Sequence, residues 1–479
     1  MAVRTELTRA LRLWPAVAIN VANMIGAGVF IKSRVMTCNV GSAAAVLAVW
    51  LGSGLLVLMG SFAYTEVAAL FPEAGGEYVF LRRAYGRFAG FLFGWTCFGV
   101  MRTGAQAALA VSFAIFLNVA LGGLLAQPIG SFVVFGHGVS LSLLPIVAMA
   151  AIWAVAIISC ATIATGGNTA LGLTLIKVAV LLAIGIAAFI WGHGSFSHYA
   201  LGVGAGSCEA VRDSARGGLA GIGAAMLGAL WAYDGWSNVT PLLGEIHDPE
   251  RTVPKVFVRG MLLVGALYMF ANIAYFYVLT PEQIASVSTS SSVATEVLRR
   301  FMGPVAVSLT ALALMVSSFS SLQASVLSNA RVPFAMARDG LFFRALAPLS
   351  PRTHVPVRAI IAQAAWSSLL VLTGSYDTLT DAVIFASFLF YGLAAGSVFV
   401  LRRRFPDAAR PYRAFGYPWA PAIFVIVTVF LLANTFIATP REALEGVLVL
   451  AVGIPFYRYW TRRGPHTAGT AGVPEGGAR

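Results

Sequence analysis

Charged side chains are scarce in this sequence: Asp, Glu, Lys and Arg together make up 11% of its 479 residues. Water-soluble domains contain about 25% of these residues, whereas 58% of this chain is hydrophobic. Its 49 glycines suit membrane helices, in which small residues allow close packing. The composition therefore excludes an ordinary water-soluble domain and predicts an all-α polytopic membrane protein.

Cysteine and histidine are also sparse. The four cysteines, Cys38, Cys97, Cys160 and Cys208, show no metal-binding spacing. None of the six histidines falls in the middle of a predicted span, so we expect no metal site and no cofactor. Cys38 and Cys208 can both face outward, which leaves a disulfide between them open.

The N-terminus shows no cleavage site of a signal peptide. The apolar run from Pro15 to Ile31 leads directly into Lys32 and a further long span, whereas a signal peptide has a short apolar region followed by small residues. We therefore expect this run to remain as the first membrane helix.

Long apolar runs recur along the chain, and each needs about 20 residues to cross a bilayer. The sequence predicts twelve such spans, at 15–35, 43–70, 90–120, 141–163, 168–191, 217–242, 256–280, 303–331, 355–373, 380–401, 418–437 and 441–461. A Gly/Pro-rich polar tail at 462–479 is predicted to be disordered.

The net charge of +13 lies mainly in short loops between these spans. With the N-terminus inside, arginines concentrate in the segments 82–87, 331–358 and 402–413, all on the cytoplasmic side. We therefore interpret the positive charge as cytoplasmic loops rather than a nucleic-acid surface. The predicted location is the inner (plasma) membrane, in contact with the lipid bilayer and with both termini cytoplasmic.

Two spans are interrupted by glycines. The first contains "NMIGAGVF", with Gly26 and Gly28, and the sixth contains "WAYDGWSN", with Gly235. The two interruptions occupy corresponding places in two predicted halves, 15–191 and 217–401. An N-terminal segment, 1–14, precedes these halves, and two further spans, 418–461, follow them. Paired interruptions of this kind predict an inverted-repeat transporter with a binding site at the centre of the membrane.

A zwitterion would satisfy the backbone groups that such breaks leave unpaired. Free N–H groups at the start of a half-helix attract a carboxylate, and free carbonyls at the end of the other half-helix attract an ammonium. An α-amino acid presents both charges. The alternative is that each glycine pair marks tight helix packing only.

Four motifs in this order resemble the L-type amino acid transporters of the amino acid–polyamine–organocation superfamily. They are "IGAGVF", "YTEVAALFPEAGGEYVFLRRAYG", "LWAYDGWSNV" with "GEIHDPERTVPK", and "SNARVPFAMARDGLF". The resemblance covers roughly residues 15–400. It implies two inverted five-helix repeats plus two extra helices, and sodium-independent exchange of amino acids by alternating access.

The resemblance also implies a set of substrate-binding residues. The backbone around the first break would bind the substrate carboxylate, through Ile25, Gly26, Ala27 and Gly28. The second break would offer carbonyls to the ammonium, through Trp231, Ala232, Tyr233 and Asp234 beside Gly235. The Trp231 ring would close over the substrate as a gate.

Two features depart from the family pattern. Ala27 stands where many relatives have serine, so a hydroxyl contact is lost. The loop between the third and fourth spans has no cysteine, whereas animal members use one there to bind a glycoprotein subunit. The chain therefore resembles a stand-alone prokaryotic member, and we expect no disulfide-linked heavy subunit.

Charged and polar residues inside the spans are candidates for function. The resemblance implies that the Lys177 ammonium occupies the position of the sodium ion in sodium-coupled relatives. A role in carrying a proton is the competing functional alternative. The structural alternative is that the side chain extends to the membrane interface. Arg102 would face the cavity or pair with a neighbouring carbonyl. Asp234 is expected to cap the second half-helix, and Asn238 to bridge to the fifth helix or contact substrate. Glu66 is expected to be a paired carboxylate in a closed inner gate.

The sequence thus predicts a transporter of small or neutral L-amino acids, acting as a sodium-independent exchanger. A membrane-embedded enzyme is disfavoured, because no nucleophile–base pair or metal-ligand set lies in the core. A proton-coupled symporter and a carrier of polyamines or cationic amino acids remain alternatives on the same fold, as does a sensor that binds an amino acid without moving it.

Overall fold

The computed structural model describes residues 6–462, apart from residues 135, 136, 290, 374, 375 and 439. The first half is built from eight helices and one hairpin. They are α1 (Leu13–Met24), α2 (Gly28–Val40), α3 (Ala43–Leu70), α4 (Glu77–Tyr85), α5 (Arg87–Thr96), α6 (Arg102–Ala120), β1 (Pro128–Val134), β2 (His137–Ser142), α7 (Leu143–Ser159) and α8 (Ile163–Trp191).

The remaining described residues form ten further helices. They are α9 (Gly218–Tyr233), α10 (Pro249–Val278), α11 (Pro281–Ala285), α12 (Val293–Met302), α13 (Val305–Asn329), α14 (Arg331–Arg338), α15 (Val357–Thr373), α16 (Tyr376–Arg404), α17 (Trp419–Ala438) and α18 (Pro440–Arg462). A six-residue 3₁₀ helix, Thr240–Glu245, precedes α10.

Each of the twelve predicted spans contains helix, although the span predicted at 217–242 is α-helical only over Gly218–Tyr233. Among the described residues, six helices are long and apolar enough to cross a membrane, and the bent pair α1–α2 makes a seventh if it is taken as one span. Three further apolar helices, α7, α9 and α15, are shorter than 18 residues. The structure therefore confirms a helical, multi-span chain, while the count of twelve stays a prediction.

The prediction of an all-α fold is confirmed in every predicted span, and the connection between α6 and α7 adds one short hairpin. Between α6 and α7, β1 and β2 pair antiparallel, with Val134 opposite His137 and an irregularity between Pro128 and Gly130. A two-stranded hairpin satisfies its inner backbone groups by itself, so such a loop needs no helix. The predicted disordered tail lies outside the described residues from position 463 onward.

Local sequence signals fix several helix ends. The Ser42 hydroxyl accepts a hydrogen bond from the Ala45 amide and begins α3, and Thr162 begins α8 in the same way through the Thr165 amide. Gly41, at φ 78°, ends α2 in the left-handed conformation that glycine adopts without strain.

The interrupted helices lie at the centre of the bundle. α1 packs against α8, α10 and α13, and α2 packs against α9. α6 packs against α13 on the other side of the same region. This arrangement brings the two glycine-containing segments, which are about 200 residues apart in the sequence, to one place.

Candidate functional site

The first interruption is a true break in the helix. α1 ends at Met24 and α2 begins at Gly28, with a bend of 42° between them. The amide of Gly26 turns back to the carbonyl of Met24 at 2.9 Å. Within the described residues, the amides of Ala27 and Gly28 have no hydrogen-bond acceptor, as expected at the start of a helix.

The second interruption follows Tyr233, where α9 ends. Asp234 adopts an extended conformation, with φ −55° and ψ 149°, and Gly235 has φ 92°. A Cβ at Gly235 would lie 2.6 Å from the carbonyl oxygen of Asn23. Only glycine therefore fits at this position, where the second break passes the end of α1.

The two breaks touch each other. A Cβ at Gly28 would lie 2.6 Å from the Cβ of Ala232. The Tyr268 hydroxyl on α10 bridges both segments, at 2.9 Å from the Met24 carbonyl oxygen and 2.8 Å from that of Ala232. The predicted meeting of the two interrupted segments is therefore present in the structure, and Tyr268 is a bridging residue that the sequence analysis missed.

A cavity of about 100 Å³ lies where the breaks meet. It is lined by most of the predicted binding residues, namely Gly26, Ala27, Gly28, Trp231, Ala232, Asp234, Gly235 and Asn238. Ile25 and Tyr233 do not line it: the Ile25 side chain is fully buried, and the Tyr233 ring packs edge-on against Trp50 at 6.0 Å. These two contribute through their backbone at most.

The sequence analysis missed one wall of this cavity. It is formed by small and polar residues of α6 and α13: Ala105, Ala108, Leu109, Ser112, Ser318, Ser321 and Ser325. A signal for it existed, because "SSFSSLQAS" within α13 places six hydroxyl or amide side chains in an otherwise apolar helix. Buried polar side chains in a membrane helix usually face a partner or a cavity.

Lys177 lies between α1, α8 and α13. Its ammonium donates to the carbonyl oxygens of Ala22 at 3.0 Å and Ile25 at 2.7 Å, and to the Ser321 hydroxyl at 3.0 Å. The residue is 3% exposed. The lysine therefore does not snorkel to an interface; it binds carbonyls that the first break leaves free.

Asp234 has other partners than predicted. Its carboxylate accepts a hydrogen bond from the Tyr391 hydroxyl at 2.5 Å and lies 3.8 Å from the Arg102 guanidinium. No backbone amide of the described residues donates to it, so the prediction of helix capping was wrong. The extended backbone at Asp234 directs the side chain towards α6 and α16 instead of back over the second half-helix.

Arg102 combines parts of both predicted alternatives. It lines the cavity, and its guanidinium donates to the Tyr391 hydroxyl at 3.1 Å rather than to a backbone carbonyl. It directly follows a single π-helical turn, Cys97–Met101. Such turns shift the register of a helix and are frequent at functional sites.

Asn238 bridges to α1 and not to the fifth predicted span. Its side-chain amide donates to Asn23 Oδ1 at 3.0 Å. Its own Oδ1 is buried and has no partner in the described part of the chain, although the residue lines the cavity. The Trp231 ring lies against Lys32, with 4.5 Å between the ammonium and the ring centroid.

Glu66 is a paired carboxylate, as predicted. Both of its oxygens accept hydrogen bonds from Arg402, at 2.8 and 2.7 Å, and one accepts the Ala414 amide at 2.7 Å. Arg410 lies 3.4 Å away. The bidentate geometry ties α3 to the end of α16.

Further ion pairs lie among the same arginine-rich segments. Arg82 pairs with both Asp339 and Glu73, and Tyr78 donates to Asp339 at 2.6 Å. Burial, and then the nearby Asp339 carboxylate, raise the pKa of Tyr78 well above its usual value, so this phenol stays a donor. At the start of α10, Arg251 and Asp248 form an exposed pair at 4.0 Å.

Glu245 and Arg331 form a fully buried pair in this region. Their side chains are 0% exposed and joined by two hydrogen bonds, at 2.7 and 2.9 Å. The pair links the 3₁₀ helix after the second break to α14. Elsewhere, Glu77 accepts hydrogen bonds from Ser237 and Thr240, at 2.5 and 2.7 Å, which fixes the segment immediately after the second break.

Cys38 and Cys208 form a disulfide, with their Cα atoms 5.7 Å apart. This decides the alternative that the sequence left open. The bond ties the end of α2 to the loop before α9. Among the residues that the structure describes, no group of three or more His, Cys, Asp or Glu side chains is arranged to hold a metal ion.

Comparison with known proteins identifies the family. The model of the amino acid permease family matches residues 11–456, so the chain belongs to this family. It is similar to the Serine/threonine exchanger SteT of Bacillus subtilis (strain 168), with 30% identity over 94% of this chain and 96% of that protein. The family is one of membrane transporters, and the chain is an amino acid transporter rather than an enzyme.

Mammalian relatives extend the similarity over the whole fold. The chain is 26% identical to the b(0,+)-type amino acid transporter 1 of Mus musculus, over 95% of this chain and 88% of that protein. It is also 26% identical to the mouse Large neutral amino acids transporter small subunit 2, over 95% and 82% of the two chains. These matches confirm the resemblance to the L-type transporters that the motifs indicated.

Proposed function

We propose that this chain is a sodium-independent exchanger of L-amino acids with small or neutral side chains, which works by alternating access. The observation that carries the proposal is the contact between two broken helices around one cavity. In the proposed arrangement, twelve spans form two inverted repeats of five, 15–191 and 217–401, followed by two extra helices.

The substrate carboxylate would bind at the start of α2. The unpaired amides of Ala27 and Gly28 and the positive end of the helix dipole favour an anion there. The ammonium would bind where α9 ends. The Trp231 carbonyl already accepts the Asp234 amide and the Ala232 carbonyl accepts Tyr268, so the carbonyls of Tyr233 and Asp234 are the better candidates.

Sodium independence rests on Lys177. Its ammonium donates to the carbonyls of Ala22 and Ile25 and to the Ser321 hydroxyl, and hard cations bind oxygen atoms of this kind. A fixed cation at this point removes the need for a bound ion. The competing role is proton coupling, because no carboxylate of the described residues pairs with this buried lysine.

Alternating access requires that one side be closed while the other is open. The pairs of Glu66 with Arg402, Arg82 with Asp339, and Glu245 with Arg331 would form the closed cytoplasmic gate. The arginine-rich segments 82–87, 331–358 and 402–413 contribute to these pairs, and both termini would then lie in the cytoplasm. Exchange, rather than net uptake, is proposed because the similar protein from Bacillus subtilis is a serine/threonine exchanger.

Transport into liposomes tests the proposal. Purified protein is reconstituted, the liposomes are loaded with serine, glutamate or lysine or left empty, and uptake of labelled serine is measured. We expect uptake that requires internal serine and is unchanged when sodium is replaced by choline. Uptake into empty liposomes driven by an inward proton gradient would establish the symporter instead, and no uptake with any internal amino acid would refute both.

A further inference from the structure

The cavity wall carries one positive and one negative side chain. Arg102 on α6 and Asp234 after α9 both line it, with 3.8 Å between Nη1 and Oδ2. The arginine side chain is 4% exposed and the aspartate 30%. Of the cavity-lining residues in the described part of the chain, these two are the charged ones.

Tyr391 on α16 connects the two charges. Its hydroxyl donates to Asp234 at 2.5 Å and accepts from Arg102 at 3.1 Å. The guanidinium, phenol and carboxylate thus form a continuous chain across the cavity wall. Hydrogen bonds in such a chain strengthen one another in a low-dielectric environment, so the pair acts as one neutral unit.

The rest of this wall is small and uncharged. The cavity of about 100 Å³ has little volume for a long side chain, Ala105 and Ala108 offer it methyl groups only, and the Ser318 hydroxyl is buried without a partner among the described residues. Ser112 and Ser325 line the same wall. An unpartnered hydroxyl facing a cavity offers a hydrogen bond to a short polar group of a ligand.

We propose that the Arg102–Asp234 pair is a charge filter that restricts the transported amino acid to short, uncharged side chains. The inference rests on the function proposed above and names its determinant of specificity. A cationic substrate side chain would have to pair with Asp234, and an anionic one with Arg102. These two residues already pair with each other.

The filter works by exclusion as much as by attraction. A substrate with a charged side chain can pair only by separating Arg102 from Asp234, which leaves either the buried arginine or the partly exposed aspartate without its counter-charge. Removing one partner of a buried pair is strongly unfavourable for this reason. Discrimination against the wrong ligand therefore comes from an unpaired charge built into the site.

Neutralising one partner should allow the remaining charged side chain to bind a substrate side chain of opposite charge. In Asp234→Asn, the freed Arg102 is expected to admit glutamate. In Arg102→Gln, the freed Asp234 is expected to admit lysine. We expect the ratio of charged to serine uptake to rise at least about tenfold in each, which corresponds to about 1.4 kcal/mol.

The double variant Arg102→Gln/Asp234→Asn keeps the cavity neutral and is expected to restore the preference for serine. If a single variant does not fold and accumulate, the double variant still tests the proposal, because it has no unpaired charge in the cavity. Asp213→Asn and Arg251→Gln are matched controls, since they remove the same charges from exposed pairs outside the cavity. Their preferences should equal that of the wild type.

The readout is competition of unlabelled serine, glutamate and lysine against labelled serine in liposomes, together with thermal stabilisation of the purified variants by each amino acid. The inference is overturned if both single variants keep the wild-type order of preference, or if the double variant accepts charged substrates. It is also overturned if the double variant binds no amino acid while wild type does. Failure of the wild type to transport any amino acid would instead refute the proposed function.

Discussion

The ammonium of Lys177 lies 2.7 Å from the carbonyl oxygen of Ile25, inside the break of the first helix. A side chain of the fifth predicted span thereby holds open a segment of the first. The serines of α13 complete this contact, since Ser317 and Ser321 also donate to the Ile25 carbonyl, at 3.0 and 3.1 Å. The break is therefore stabilised independently of any substrate.

Replacing this lysine should stop transport. In Lys177→Met, the carbonyls of Ala22 and Ile25 lose their charged donor, and a buried group left without its partner costs about 1–3 kcal/mol. We expect serine exchange to fall more than about tenfold and the melting temperature in detergent to decrease. Lys255→Met, at an exposed position of α10, is the control. Wild-type exchange in Lys177→Met would remove the proposed role.

Tyr268 should position both broken helices. Tyr268→Phe removes the hydroxyl that bridges Met24 and Ala232, and one hydrogen bond contributes about 1 kcal/mol. We expect a several-fold higher KM for serine with a smaller change in maximal rate. Tyr275→Phe is a matched control on the same helix, because its buried hydroxyl has no partner within the described residues. Equal effects of the two substitutions would contradict the bridging role.

Gly28 should be intolerant of any side chain. The Cβ of Gly28→Ala would lie 2.6 Å from Ala232 Cβ and 2.9 Å from its Cα, so the two breaks would have to separate. We expect loss of exchange with the protein still inserted and folded. Gly52→Ala on α3 has open space around its Cβ and should be indistinguishable from wild type. Normal exchange by Gly28→Ala would show that the contact is not needed.

The buried pair of Glu245 and Arg331 should dominate stability at the arginine-rich end. Arg331→Met leaves a fully buried carboxylate unpaired, and breaking such a pair costs about 3–5 kcal/mol. We expect a large fall in melting temperature, whereas Arg338→Met, at the exposed other end of the same helix α14, changes little. The double variant Arg331→Met/Glu245→Leu should recover part of the loss. If the double variant recovers no stability, the loss in Arg331→Met comes from altered packing and not from the unpaired Glu245 carboxylate.

The disulfide should be detectable by counting thiols. With Cys38 and Cys208 joined, alkylation of the denatured, unreduced protein is expected to label Cys97 and Cys160 only. Mass spectrometry should show two labels before reduction and four after it. Cys38→Ser should add a label at Cys208. Four labels without reduction would disprove the bond.

Much of the fold was predictable because membrane helices are long and apolar. The span predicted at 43–70 matches Ala43–Leu70 in the structure, and both interruptions were visible as glycines within apolar runs. The hairpin between α6 and α7 was not predictable, since a short loop strand carries little periodic signal. The shorter helix Gly218–Tyr233 also ended earlier than the apolar run suggested.

The partners of the charged residues were the least predictable part of the site. Sequence proximity favoured Asp234 as a cap for its own helix, but the extended backbone at that residue turns the carboxylate towards Tyr391 and Arg102. The hydroxyl that bridges the breaks comes from Tyr268, some 30 residues further along the chain, and nothing around it in the sequence marks it. Such partners depend on distances in space, which the sequence pattern does not encode.

The sequence by itself determined the membrane fold, the family and the places where two helices break, because each depends on local composition: apolar length, loop charge and glycine. Only the tertiary structure decided which side chains meet at those breaks. A buried charge needs a counter-charge or a hydrogen-bonding partner wherever the packing brings one close. Packing joined Arg102 to Asp234, the Lys177 ammonium to the Ile25 carbonyl and Glu66 to Arg402.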